Sequence, residues 1–141
     1  IHGTTLSGLT NLGEAVRPIA GWLTDGVYAA LNGAAPGARE QAVTSDFMKA
    51  LNQLPDTTGG AKMTVISTNY DSVVTPVSSQ APIGPDTRWI VLQRQCGLDF
   101  VDHVGMAFDS IALRNVLNAL DPAHPRPIPC QVVLPVTGPL L

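Results

Sequence analysis

The sequence predicts an α/β fold with parallel strands, and three observations carry that expectation. Two short apolar runs of buried-strand type, over 62–67 and 89–93, are separated by about twenty residues, which is room for the crossover that parallel neighbours need. Each run leads into a polar loop that carries a chemically capable side chain, Asp71 after the first and His103 beyond the second. Apolar residues at helical spacing flank the runs on both sides, and open α/β sheets present their chemistry in the loops at the carboxyl ends of their strands.

Taken in order, residues 1–15 are turn-rich, with Ile1 reading as the end of a strand and His2-Gly3-Thr4-Thr5 as the loop behind it. Val16, Ala20, Leu23, Val27 and Leu31 then recur at threes and fours and predict one amphipathic helix. Pro18 suits its first turn and Gly33 its C′ position, while Gly21 and Gly26 weaken it by about 1 kcal/mol each relative to Ala. A weak helix with an apolar face fits a mobile cover. After the break at Ala34-Ala35-Pro36-Gly37, a helical turn is expected over 38–43. A second helix is expected over 46–53, capped by Ser45, with Phe47, Leu51 and Leu54 facing inward. Residues 55–60 form a surface turn before the first strand. Residues 77–88, with Pro82 and Pro85, leave space for only a short crossover helix. A loop over 94–109 carries Cys96 and His103. The next helix is capped by Asp109-Ser110, presents Leu113, Val116, Leu117 and Leu120 on one face, and stops at Pro122. The tail is proline-rich, with one extended piece at Val132-Val133-Leu134.

Composition narrows the function classes. Hydrophobic residues make up 45% and charged residues 13% of the 141, as in a globular domain with a large core. The net charge of −3 and the scatter of only eight Lys and Arg argue against a nucleic-acid partner, which calls for a clustered basic face. No apolar run is long enough to cross a bilayer. No helix carries metal ligands at i, i+4 and no run alternates carboxylates, so neither metal nor cofactor is expected. The two cysteines, Cys96 and Cys130, could be buried thiols, a disulfide or half a metal site. Little Lys and much Ala, Gly, Pro and Thr suit a secreted chain, and the disulfide is the favoured reading.

Asp71 taken alone is most simply a turn aspartate bonding its own backbone. A histidine after the next strand changes that balance, and the two residues read as members of a catalytic triad: His103 the general base, Asp71 the acid that orients it. Asp99 and Asp102 lie nearer His103 in sequence but read as loop residues. His2 has no visible partner, and His124 sits among prolines on the surface. A serine nucleophile in an α/β fold needs Gly two residues before and after it. None of Ser7, Ser45, Ser67, Ser72, Ser78, Ser79 or Ser110 stands in that frame. The order Ser, Asp, His places the serine upstream of Ile1, and a half sheet of this kind is expected to leave an apolar strand edge open along 62–67 or on the Ile1 side.

Thr68-Asn69-Tyr70-Asp71-Ser72-Val73-Val74-Thr75-Pro76, followed by Cys96-Gly97-Leu98-Asp99-Phe100-Val101-Asp102-His103-Val104-Gly105, resembles the second half of secreted α/β-hydrolase lipases. These are the actinobacterial-type triacylglycerol lipases and the Candida antarctica lipase B family. The likeness runs from Ile1 to Cys130, and His2-Gly3-Thr4 is similar to the loop after a central strand in the bacterial branch. Ser72 departs from the yeast-type branch, which has an acidic residue after the triad Asp.

The resemblance implies the C-terminal half of an α/β-hydrolase fold, with Asp71 and His103 as triad acid and base and Cys96–Cys130 as the family disulfide pinning the C-terminal loop. It also implies that Val73 and Val74 line the substrate pocket. Residues 1–141 would then be a single partial domain. Residues 1–55 would form a helical cap or lid, and 61–141 the last strands, the Asp and His loops, the C-terminal helix and the tail. The expected function is a secreted serine carboxylester hydrolase acting on apolar esters or lipids, with transient contact to a lipid surface. Its serine and oxyanion hole would come from the N-terminal half of the same protein. The alternative is a non-catalytic module that binds an apolar ligand or a partner chain.

Overall fold

The computed structural model describes residues 2–5, 37, 40–136 and 138–139. The helix expected over 16–31, its lid role, and the strand end at Ile1 lie outside the described residues. The chain divides into two compact units, one of Ile1–Pro55 with Ser72–Gln80 and one of Asp56–Asp71 with Ala81–Leu141.

In the first unit, helix α1 (Asp46–Leu51) starts at Ser45, whose hydroxyl accepts from the Met48 amide at 3.0 Å. Here the inward face differs from the expectation. Met48 is buried, whereas Phe47, Leu51 and Leu54 are 55%, 50% and 68% exposed. Helical spacing shows which residues share a face, but not which way that face is turned. The turn expected over 38–43 ends early, with Glu40 helical and Ala42 already bridged in parallel to Thr4. Ser72–Gln80 belongs to this unit because backbone polar groups tie it to the first residues. The Thr4 hydroxyl donates to the Val73 carbonyl at 2.6 Å and accepts from the Thr75 amide at 3.0 Å. The Thr5 amide donates to the Thr75 carbonyl, and the His2 amide to that of Ser79. A sequence boundary at residue 55 does not anticipate this return. The crossover helix expected here is a single 3-10 turn, Val77–Gln80.

The second unit holds the sheet. Strand β1 (Met63–Ser67) pairs in parallel with β2 (Thr87–Val91), in a register that runs from Met63 opposite Thr87 to Ser67 opposite Val91. Both strands are rich in β-branched residues, which suit a pleated, half-buried surface. The Trp89 indole N–H donates to the Ser67 hydroxyl at 2.8 Å and ties the strands side to side. β2 lies two residues earlier than the apolar run suggests, because Leu92 turns the chain into the short helix α2 (Leu92–Gln95). Leu92 stays fully buried, so its apolar character reports burial rather than strand. Among the described residues, the other edge of β1 has no paired strand, and Met63 to Ile66 are all half-buried.

Helix α3 (Ser110–Leu120) is capped by Asp109, whose carboxylate accepts from the Ala112 amide at 2.6 Å. Its buried residues are Ile111, Ala112 and Asn115, and the Leu113, Val116, Leu117 and Leu120 face is 41% to 77% exposed. Packing selects the narrower side of this helix, where Ile111 and Ala112 join Ile90, Leu92, Cys96, Val101 and Val133 in the core. Val133 brings the tail in. Strand β3 (Val133–Leu134) pairs antiparallel with β4 (Gly138–Pro139), and Val133 also bonds the backbone of Leu98 and Phe100. Cys96 and Cys130 form a disulfide with Cα atoms 5.2 Å apart. The architecture is therefore mixed helix and strand, with a parallel two-stranded sheet and one disulfide.

Candidate functional site

Beyond Ser67 and Val91 the strand ladder stops, yet two chain segments continue side by side. They are 68–71, leaving β1, and 99–103, returning after α2. Tyr70 and Asp102 form a parallel bridge, and the rings of Tyr70 and Phe100 lie 5.5 Å apart at a tilt of 50°. Thr68 is fully buried between the segments. Its hydroxyl donates to the Val101 carbonyl at 2.7 Å and accepts from the Tyr70 amide at 3.2 Å.

This pairing brings Asp71 and His103 together. His103 Nδ1 lies 3.1 Å from both carboxylate oxygens of Asp71. The acid's side chain is 7% exposed and the imidazole 42%, so a sheltered carboxylate holds one nitrogen of an accessible ring. A carboxylate can only accept, so the neutral imidazole carries its proton on Nδ1 and keeps a lone pair on Nε2. No group among the described residues bonds Nε2. The arrangement can accept a proton at Nε2 and stabilise the resulting imidazolium through Asp71.

The nearer acids point elsewhere. Asp102 accepts from the amides of Gly105, at 2.7 Å, and Val136, at 3.3 Å, closing the turn behind His103. Gly105 is needed there because a Cβ would meet the Val101 side chain at 2.8 Å. What approaches it is the protein's own core. Asp99 accepts from the Val101 amide at 2.9 Å and is fully buried. Burial pushes its carboxyl above the ordinary carboxylate range, and the Asp109 charge adds to the rise.

The remaining histidines differ from each other. His2 does have a partner, for its Nδ1 lies 2.9 Å from the Asn52 side-chain oxygen while Asn52 donates to the His2 carbonyl. His124 is exposed and pairs with Asp121 at 3.0 Å. Val73 and Val74 sit in the first unit, where their carbonyls accept from Thr4 and Gln80. A cavity of about 410 Å³, lined by Lys62, Met63, Arg88 and Leu120 among others, opens at the amino ends of β1 and β2. The Asp71–His103 pair lies past the carboxyl ends, where parallel sheets carry chemistry, and the cavity is not assigned to it. No metal-binding cluster occurs among the described residues, and no helix among them is long and apolar enough to cross a membrane.

Sequence reasoning missed two features. One is the buried pair of acids, Asp99 and Asp109, whose spacing carries no signal. The other is Gln93, a polar residue at the end of an apolar run, which was its one visible sign. Its side chain accepts from the Asn69 amide at 2.8 Å and donates to the Thr68 hydroxyl at 3.0 Å and the Asp99 carbonyl at 2.9 Å. No family model matches the chain, and no curated protein matches it either.

Proposed function

We propose that this chain supplies the acid and the base of a secreted serine carboxylester hydrolase of the α/β-hydrolase lipase type, acting on apolar esters. One observation carries the proposal: the accessible His103 ring, held through Nδ1 by the sheltered Asp71 carboxylate, with no group among the described residues bonded to Nε2. In the reaction, Nε2 takes the proton of a serine hydroxyl as its oxygen attacks the ester carbonyl. The same nitrogen returns that proton to the leaving alcohol, and water then repeats the cycle on the acyl-enzyme. Asp71 stays ionised throughout and stabilises the imidazolium. The serine and the oxyanion donors come from an N-terminal part of the protein beyond residues 1–141, because no serine here stands in the elbow frame. Val73 and Val74 are proposed to line the acyl pocket. The disulfide is compatible with an extracellular setting.

The test uses the protein together with its upstream sequence and a series of short- and long-chain neutral esters. His103→Ala is expected to abolish hydrolysis without unfolding the protein. Asp71→Asn is expected to lower kcat on the order of 10⁴-fold, because an amide holds the ring in the wrong tautomer. Near-normal turnover in either variant rejects the proposal. It would favour the other reading, a non-catalytic module for an apolar ligand, which the absence of an elbow serine in these residues supports.

A further inference from the structure

We infer that Gln93 is a positioning residue for the Asp71–His103 pair, its side-chain amide setting the spacing of the two loops where the strand ladder has ended. The inference rests on reading that pair as acid and base. Backbone pairing cannot do this work alone. The ladder ends at Ser67 opposite Val91, and the chain leaving β2 turns away into α2. The neighbour of the Asp71 loop is therefore not the continuation of β2 but a segment that returns several residues later.

Gln93 stands at the point of separation and touches both sides. On the Asp71 side it bonds Asn69 and Thr68, two and three residues before the acid; on the His103 side it bonds the Asp99 carbonyl, four residues before the base. The directions are forced. The Thr68 hydroxyl spends its single proton on the Val101 carbonyl, so it must accept from Gln93. The Asp99 carbonyl can only accept and the Asn69 amide can only donate. A primary amide offers two N–H donors and one carbonyl acceptor, and all three demands are met by that one group. A carboxylate of the same size cannot meet the two donor demands. A thioether of similar length meets none of them.

The effect should appear in the tautomer of His103, since the ring proton stays on Nδ1 only while Asp71 lies in line with it. The experiment is ¹⁵N-detected NMR of the histidine ring in the full chain, read at a pH where the ring is neutral. Gln93→Met is expected to lower the ratio of Nδ1–H to Nε2–H roughly fivefold, about the factor one ordinary hydrogen bond is worth. Gln93→Glu, which keeps only the Asn69 contact, should move it in the same direction. If Gln93→Met does not fold, the Glu variant decides alone. Gln95→Met serves as the control for general loosening. Gln95 exchanges two hydrogen bonds with the Asn115 side chain and none with either loop, so its loss should lower the melting temperature and leave the ratio unchanged. A wild-type ratio in the Gln93 variants overturns the inference, as does an equal fall in Gln95→Met. Asp71→Asn separates the two levels. If it leaves the ratio untouched, the acid–base pair itself is wrong; if it shifts the ratio while the Gln93 variants do not, only the positioning role falls. In the protein with its upstream sequence, the Gln93 variants should lower kcat with little change in KM.

Discussion

Reducing the Cys96–Cys130 disulfide should cost the second unit much of its stability. The bonded residues are 34 apart in sequence. In the chain-entropy model, closing a loop of that length removes unfolded-state freedom worth about 4 kcal/mol at 25 °C. The closed loop contains Val101, Ile111 and Ala112, three of the core residues, together with His103. Opening it therefore frees in the unfolded state the same segment that must be ordered to build both core and site. For a chain of 141 residues, each kcal/mol moves the melting temperature by roughly 3 °C, so a fall of roughly 10–12 °C is expected. The assay is a circular-dichroism melt of the oxidised protein, the reduced protein and the Cys96→Ala/Cys130→Ala variant. Reduced wild type should follow the entropic value. The double variant should lose somewhat more, because Cys96 is 1% exposed and lies in the core, whereas Cys130 is exposed. A fall under about 3 °C on reduction would refute the reasoning, since the loop would then be constrained in the unfolded chain without the bond.

Two further predictions stand beside the catalytic and positioning variants above. The folded pKa of Asp99 is raised by burial and by Asp109. Its contribution to stability is therefore fully present below the unfolded value and is lost as pH rises through the folded one. Asp99→Asn keeps an acceptor for the Val101 amide and removes the charge. In urea titrations it should be more stable than wild type at pH 8, by a margin that shrinks toward pH 4; a margin independent of pH would count against the argument. Gly84 has φ of 136°, and a Cβ there would sit 2.7 Å from the Thr57 carbonyl oxygen. Gly84→Ala should cost about 1–3 kcal/mol, while Gly97→Ala, with nothing within 4 Å of the added carbon, should stay within about 0.5 kcal/mol of wild type in the same unfolding assay.

Local chemistry was legible in the sequence wherever a short stretch decides its own conformation. Ser45 and Asp109 cap helices because each offers an oxygen to an amide three residues on. Met63–Ser67 forms a strand because its β-branched residues favour the pleat, and the lone cysteine pair bonds. The loops of Asp71 and His103 could be placed after successive strands, but the ladder ends before them, and it is the bridge of Tyr70 to Asp102 beyond its end that sets them side by side. Which face of a helix turns inward was not legible. The apolar stripes of α1 and α3 are each internally consistent, but the core took Met48 on one helix and Ile111 and Ala112 on the other. That choice belongs to the packing partner, which spacing within one helix does not encode. The return of Ser72–Gln80 to the first unit rests on hydrogen bonds between residues about seventy apart. Gln93 is the plainest case. Its type at the end of an apolar run marks it as unusual, but its three partners lie in two other segments. A half-buried amide acquires a role only when the fold brings donors and acceptors to it, and that is a property of the tertiary structure alone.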